Sequence, residues 1–281
     1  MTDTAAMDSS ASGRPRAHVR LETGRGSRAG VAVLTLARPA TGNALVPDLL
    51  LDLCVALEAI ARRDDVRAVV LAAEGSSFSS GGDLRRFAAE MRGPGLQTYS
   101  AELVGLLNQA IVALLRLPQP VVAAVDGPVL GGSIGLVLAC DVVVASRRAV
   151  FRAHHARAGF APDGGWTAML PRVVGSRRAA GVFLLDREIG AAEALEWGIV
   201  TALVGPGEVL PEADALARRI AAAPVATMRA GKRLLHGDLG AVEAALEAER
   251  IAFVAEVGGP EARACVPRLA EGLRGTDGPG A

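Results

Sequence analysis

Two glycine pairs carry the chemistry that this sequence offers. The first lies in Phe78-Ser79-Ser80-Gly81-Gly82-Asp83-Leu84, after an apolar run and before a helical pattern from Leu84 to Met91. The second, Gly131-Gly132-Ser133, opens an apolar run from Ile134 to Ala139. Glycine at such junctions leaves backbone N–H groups unobstructed. A helix N-terminus adds about half a positive charge. Two such turns facing one point make a two-donor oxyanion hole, suited to a carbonyl oxygen that gains enolate charge. Read singly, each pair is a tight turn. Neither is a P-loop, because no G-K-[ST] follows. Neither is a G-x-G-x-x-G opening a βαβ unit, which argues against dinucleotide binding.

The elements that must position these turns are legible from periodicity. Val31 to Leu36, Val69 to Ala73, Val121 to Val125 and Val142 to Ala145 read as strands. Val46, Leu49, Leu50, Leu53, Leu57 and Ile60 share one helical face. Leu103 to Leu117 reads as a long apolar helix stopped by Pro118 and Pro120. Ile134 to Ala139 is apolar all round, so that helix is buried. From Gly175 onward the pattern turns helical, over Gly175–Leu185, Ala191–Trp197, Pro211–Ala222, Val225–Leu235 and Val242–Val257. Strands mixed with helices, then helices alone, predict an α/β core (17–205) with a C-terminal helical subdomain (206–274). Residues 1–16 and 275–281 read as disordered tails.

Composition narrows the function. Of 281 residues, 51% are hydrophobic, and 30 basic side chains balance 30 acidic ones. A mean hydropathy of +0.32 excludes disorder for most of the chain. Zero net charge argues against a nucleic-acid partner, which demands a basic excess. The longest uncharged stretch, Gly127 to Cys140, is short of the roughly 20 apolar residues a bilayer requires. Met1 to Arg16 has no apolar core of a signal peptide. A cytoplasmic protein without a membrane partner is expected. Cys54, Cys140 and Cys265 read as small buried hydrophobes. Lys232 is the sole lysine, and His18 and His236 read as surface residues. Tyr99 falls in a variable loop, Arg92 to Ser100.

Several segments together resemble the enoyl-CoA hydratase/isomerase (crotonase) superfamily. They include Arg38-Pro39 with Asn43-Ala44-Leu45, the two glycine turns, Cys140-Asp141, Gly159-Phe160-Ala161-Pro162-Asp163-Gly164-Gly165-Trp166 and Leu170-Pro171-Arg172-Val173-Val174-Gly175. Order and spacing hold from about residue 18 to about residue 257. The resemblance implies a crotonase-like spiral of ββα units and a C-terminal helical region that forms homotrimers or hexamers. It implies an acyl-CoA thioester as substrate, with no metal or redox cofactor. It places the oxyanion donors at the N–H groups of Gly82 and Gly132. Ala44, Ser80, Asp83, Leu84 and Arg85 would line the CoA path, with Arg85 available to a CoA phosphate.

The departures from the family pattern select the reaction. The family's hydratases use two glutamates, and the matching positions here are Gly135 and His155. Two-glutamate hydration requires one carboxylate to activate water and another to deliver a proton. Other members, isomerases, resemble this chain at Asp163 in Gly-x-x-Pro-Asp-x-Gly and use that single acid. Asp163 would then take a proton from C2 and return it at C4, with Phe151, Phe160 and Trp166 forming an apolar pocket around it. Taken without the family, Pro-Asp-Gly is a turn. His155 is the alternative base, serving an atypical hydratase, decarboxylase or hydrolase. An inactive acyl-CoA-binding homologue is the third reading, with Arg85 and Lys232 holding CoA.

Overall fold

The computed structural model describes residues 18–24 and 26–272. The tails expected at 1–16 and 275–281 lie outside the described residues. The strands are β1 (Val19–Thr23), β2 (Val31–Leu36), β3 (Ala68–Ala73), β4 (Val121–Val125), β5 (Val129–Leu130), β6 (Val142–Ser146), β7 (Val150–Arg152), β8 (Ile189–Gly190) and β9 (Ala202–Val204). The helices are α1 (Pro47–Ala61), α2 (Leu84–Glu90), α3 (Leu96–Arg116), α4 (Ile134–Leu138), α5 (His155–Ala158), α6 (Leu170–Val174), α7 (Ser176–Leu184), α8 (Ala191–Glu196), α9 (Val209–Ala222), α10 (Val225–His236), α11 (Leu239–Glu256) and α12 (Pro260–Gly272).

A six-stranded sheet runs in the order β1-β2-β3-β4-β6-β9, parallel except for the β1–β2 pair. A smaller sheet, β5-β7-β8, stands beside it. Both faces of the large sheet are covered, as parallel strands require. Alternate residues Val31, Val33, Val70, Val122 and Val144 pack on Ala213, Ala217 and Ala221 of α9. The intervening set, with Leu34, Leu36, Leu71, Ala123 and Val125, faces the main core with Leu49, Leu53 and Leu57 of α1. Each such leucine, removed from water, contributes about 1.5–3 kcal/mol.

Helix α3 lies between α1 and α11. By length and composition it would suit a bilayer, and here half of that stretch is buried in the fold. It starts at Leu96, not Leu103, because Leu96, Tyr99 and Ser100 extend its buried face. Tyr99 is therefore core: its ring stands edge-on to Phe87 at 5.3 Å. Helix α12 lies within the helical subdomain expected over 206–274, beyond the last helical segment expected to end at Val257, and packs on α2 and α5. Cys140 is buried, while Cys54 and Cys265 are only partly so, and all three are free thiols.

The sole lysine ties the C-terminal helices to the sheet. Lys232 is buried and pairs with Asp141 Oδ2 at 3.0 Å. It also donates to the carbonyls of Leu114 (2.9 Å) and Gln119 (3.2 Å). His236 Nε2 meets Asp141 Oδ1 at 2.9 Å, and Val121 N–H donates to Oδ2 at 2.7 Å. Burial pushes the Asp141 carboxyl up. The His236 hydrogen bond, the Lys232 charge and Val121 N–H overcome it and hold the group below its ordinary value. Thus Lys232 is committed to structure, not to CoA, and His236 is no free surface residue. His18 is partly buried and meets Asp52 at 3.2 Å.

Candidate active site

The two glycine turns meet through a three-strand arrangement of single bridges. Leu45 pairs with Gly82, and Ser79 with Val129, both parallel. Leu45 N–H donates to Gly81 O at 2.8 Å, and Asp83 N–H donates to Leu45 O at 3.3 Å. Those bonds flank Gly82, so its own N–H points to the opposite side, where Val129 to Gly132 run. On that side Leu130 N–H donates to Ser79 O at 3.0 Å. Gly81 has φ +77°, and a Cβ there would stand 2.7 Å from Leu130 O. Only glycine permits this approach. Gly132 sits in a 3-10 turn, Gly131–Ser133, that leads into α4. Amides in a first helical turn lack an intrahelical acceptor. Gly82 and Gly132 line one cavity of about 180 Å³.

Asn43 braces the first turn. It is fully buried with φ +55°, and its Oδ1 accepts from Arg38 N–H at 2.9 Å. Its Nδ2 donates to the carbonyls of Glu74 (2.8 Å) and Ser77 (3.0 Å). Its own carbonyl accepts the Ser79 hydroxyl at 2.8 Å, and Ser79 Oγ accepts Gly81 N–H at 3.2 Å.

Asp163 and His155, read as alternatives from sequence, form one pair. His155 Nε2 lies 2.6 Å from Asp163 Oδ1, and Asp163 N–H points to the same nitrogen at 3.3 Å. His155 Nδ1 is buried with no partner among the described residues. A Cβ on Gly132 would fall 2.8 Å from Asp163 Oδ1 and 3.0 Å from Oδ2. The carboxylate therefore lies against the Gly131-Gly132 turn. Among the described residues that line the cavity, Asp163 is the one acid. Gly135 has no room for a side chain, since a Cβ would collide with Gly164 O and Ile111 Cδ1. Gly135→Ala should cost about 1–3 kcal/mol by overpacking, read from a denaturant midpoint.

The cavity wall is aromatic and aliphatic. Phe87, Phe160 and Phe253 lie with ring centroids 5.0–6.0 Å apart. Leu45, Leu103, Leu107 and Leu269 complete it. Of the three aromatics expected around Asp163, only Phe160 lines the cavity. Phe151 is buried in the main core. Trp166 is buried too, and its indole N–H donates to Gly131 O at 2.8 Å.

The expected CoA-path residues divide. Ser80 and Leu84 line the cavity. Ala44 is buried, and its carbonyl accepts from the Arg38 guanidinium at 2.5 Å. Asp83 caps α2, accepting from the N–H groups of Arg85 and Arg86 at 3.0 and 3.2 Å, and borders a neighbouring polar pocket. Arg85 is exposed in the first turn of that helix. Sequence reasoning missed Phe253, Leu107 and His154. The signal for Phe253 was its place on the apolar face of the last long helix.

His154 lines the cavity with φ +61° and precedes α5. Burial, then the Arg152 and Arg157 charges, hold its imidazole below the ordinary value. The folded chain thus binds fewer protons there than the unfolded chain. This contribution to stability is present above about pH 6.5 and is lost as pH falls through the lower folded value. His154→Asn should flatten that part of the curve of melting temperature against pH.

Known proteins share the sequence pattern and the fold. The family model for enoyl-CoA hydratase/isomerase matches residues 26–258. A 4-chlorobenzoyl coenzyme A dehalogenase of Arthrobacter is 36% identical over 234 residues, 82% of this chain and 84% of its own. A 1,2-epoxyphenylacetyl-CoA isomerase of Escherichia coli is 34% identical over 195 residues, 69% of this chain and 74% of its own. The crystal structure of an enoyl-CoA hydratase from Mycobacterium avium subsp. paratuberculosis superposes with TM-score 0.80 at 29% identity, covering 92% of this chain and 97% of that one. By the match over residues 26–258 and relatives more than 30% identical, the chain belongs to the enoyl-CoA hydratase/isomerase family.

Proposed function

We propose that this protein is an acyl-CoA enzyme that moves a double bond within an enoyl thioester. In this reading the thioester oxygen accepts from Gly82 N–H and Gly132 N–H. Each donor contributes roughly 3 kcal/mol as negative charge collects on that oxygen. Asp163 takes the proton from C2, leaving a dienolate held by the two amides. The same carboxyl returns the proton at C4, so the reaction is balanced without water or a cofactor. His155 holds Oδ1, which leaves Oδ2 to face the substrate. The carrying observation is the Asp163 carboxylate against Gly132, the one acid that lines the cavity among the described residues.

A homotrimer or a pair of trimers is part of the proposal. Exposed Leu184 and Leu185 at the end of α7, with Leu234 and Leu235 on α10, supply apolar surface for it. The deciding assay follows conjugated-thioester absorbance with 3-enoyl-CoA esters of several chain lengths. Growth of that signal is expected, and its absence across the series would count against the isomerase.

A second reading rests on the aromatic wall and on the likeness to dehalogenases that take 4-chlorobenzoyl-CoA by name. A carboxylate beside an oxyanion hole also suits attack on a ring whose charge drains to the thioester oxygen. Chloride release from 4-chlorobenzoyl-CoA, with no isomerisation, would favour it.

A further inference from the structure

Glu249 is a buried carboxylate for which the proposed chemistry has no use. It stands on α11 at 4% exposure. Four donors converge on it. Gly165 N–H donates to Oε2 at 2.8 Å. Thr167 N–H (2.7 Å), the Thr167 hydroxyl (2.6 Å) and Ala168 N–H (2.9 Å) donate to Oε1. No cation pairs with it among the described residues. The three backbone N–H groups demand an acceptor, which a carboxylate oxygen offers. Hydrogen bonds to a charged acceptor are about twice as strong as neutral ones.

The segment so gripped is the loop that carries Asp163. Gly164 and Gly165 hold φ +64° and +94°, conformations that favour glycine and cost backbone entropy to fix. Glycine-rich backbone of this kind keeps one shape only when something outside it imposes that shape. One side of the loop presses on the oxyanion turn: a Cβ on Gly164 would collide with Gly132 O, and Trp166 bonds Gly131 O. Glu249 holds the other side.

We propose that Glu249 is a positioning residue whose carboxylate fixes loop 163–168 and so keeps Asp163 against His155 and Gly132. The proposal rests on the reading of Asp163 as the base. A displacement of about 1 Å at a reacting group can cost about 10²-fold in rate.

Glu249→Gln is the informative change. The amide oxygen can serve the three donors at Oε1, but its NH2 then faces Gly165 N–H, donor against donor. The full-length variant would be compared with wild type and Asp163→Asn. Melting temperature checks folding, and kcat and KM are read on a 3-enoyl-CoA ester. Imidazole 15N NMR reads His155, one of four histidines. The expected result is a folded Glu249→Gln protein with kcat down about 10–100-fold. Its KM stays within about threefold, and the His155 signal moves.

A folded variant with wild-type kcat and an unmoved His155 signal overturns the proposal. If Asp163→Asn keeps full turnover, the base reading fails, and the His155 signal of Glu249→Gln alone decides whether the loop is braced. If Glu249→Gln does not fold, Thr167→Val removes one donor. It should give the same kcat-against-KM split at smaller size, and unchanged kcat and His155 signal overturn the proposal.

Discussion

Asp163→Asn should lower isomerisation by about 10³-fold, within the range a positioned acid–base group supplies. That corresponds to about 4 kcal/mol of transition-state stabilisation. The size follows from the cavity. No other Asp or Glu lines it among the described residues, and Gly135 cannot be exchanged for a carboxylate without collision. Asn keeps the shape of the side chain and can still bond His155, so the loop should stay in place. Acyl-CoA affinity should change by less than about threefold, because the apolar wall and the two amides are untouched. Steady-state kinetics with calorimetry of a CoA ester separates the two effects. Silence in His155→Ala with full activity in Asp163→Asn would transfer the base to the imidazole.

Lys232→Met should destabilise the fold by about 3–5 kcal/mol, the usual cost of removing one partner from a buried ion pair. Asp141 would keep His236 and Val121 N–H but lose its buried cation. The carbonyls of Leu114 and Gln119 would lose their shared donor. In a chain of this length that corresponds to a fall in melting temperature of roughly 10 °C. Melts must be compared at equal protomer concentration, since assembly shifts the apparent value. The site lies on the α3–β4 corner, away from Asp163, so kcat per folded protomer should be unchanged. A loss of turnover in folded Lys232→Met protein would argue that the cation does more than join α10 to the sheet.

The readable parts of this molecule are those whose geometry leaves a mark on composition. Gly81 and Gly131 take positive φ, which favours glycine, so both turns show in the sequence. The buried face of α1 shows because Leu49, Leu53 and Ile60 repeat at helical spacing. The short strands β5, β7 and β8 were hidden, since two or three residues carry no period and their pairing is set by tertiary contact. Helix α12 was masked by Gly258-Gly259-Pro260, which looks like a stop. Pro260 is instead its first residue, where a missing N–H costs nothing.

The site followed the same division. Gly82, Gly132, Asp163 and His155 stand out by motif and line one cavity, but their spatial relation leaves no mark on the sequence. Eight residues separate His155 from Asp163, and only the fold of α5 turns them into a 2.6 Å pair. Glu249 lies within an ordinary helical run, and nothing in that run marks it as buried. The donors that bury it come from Gly165, Thr167 and Ala168, far earlier in the chain. Lys232 misled for the same reason: its partner Asp141 lies on another element.

The most direct test is a crystal structure with a saturated acyl-CoA that binds but cannot isomerise. One oxygen of the thioester should sit about 2.7–3.1 Å from both the Gly82 and the Gly132 nitrogens, with C2 facing Asp163 Oδ2. A thioester oxygen bonded to neither nitrogen, or to one with the other turned from the cavity, would contradict the account.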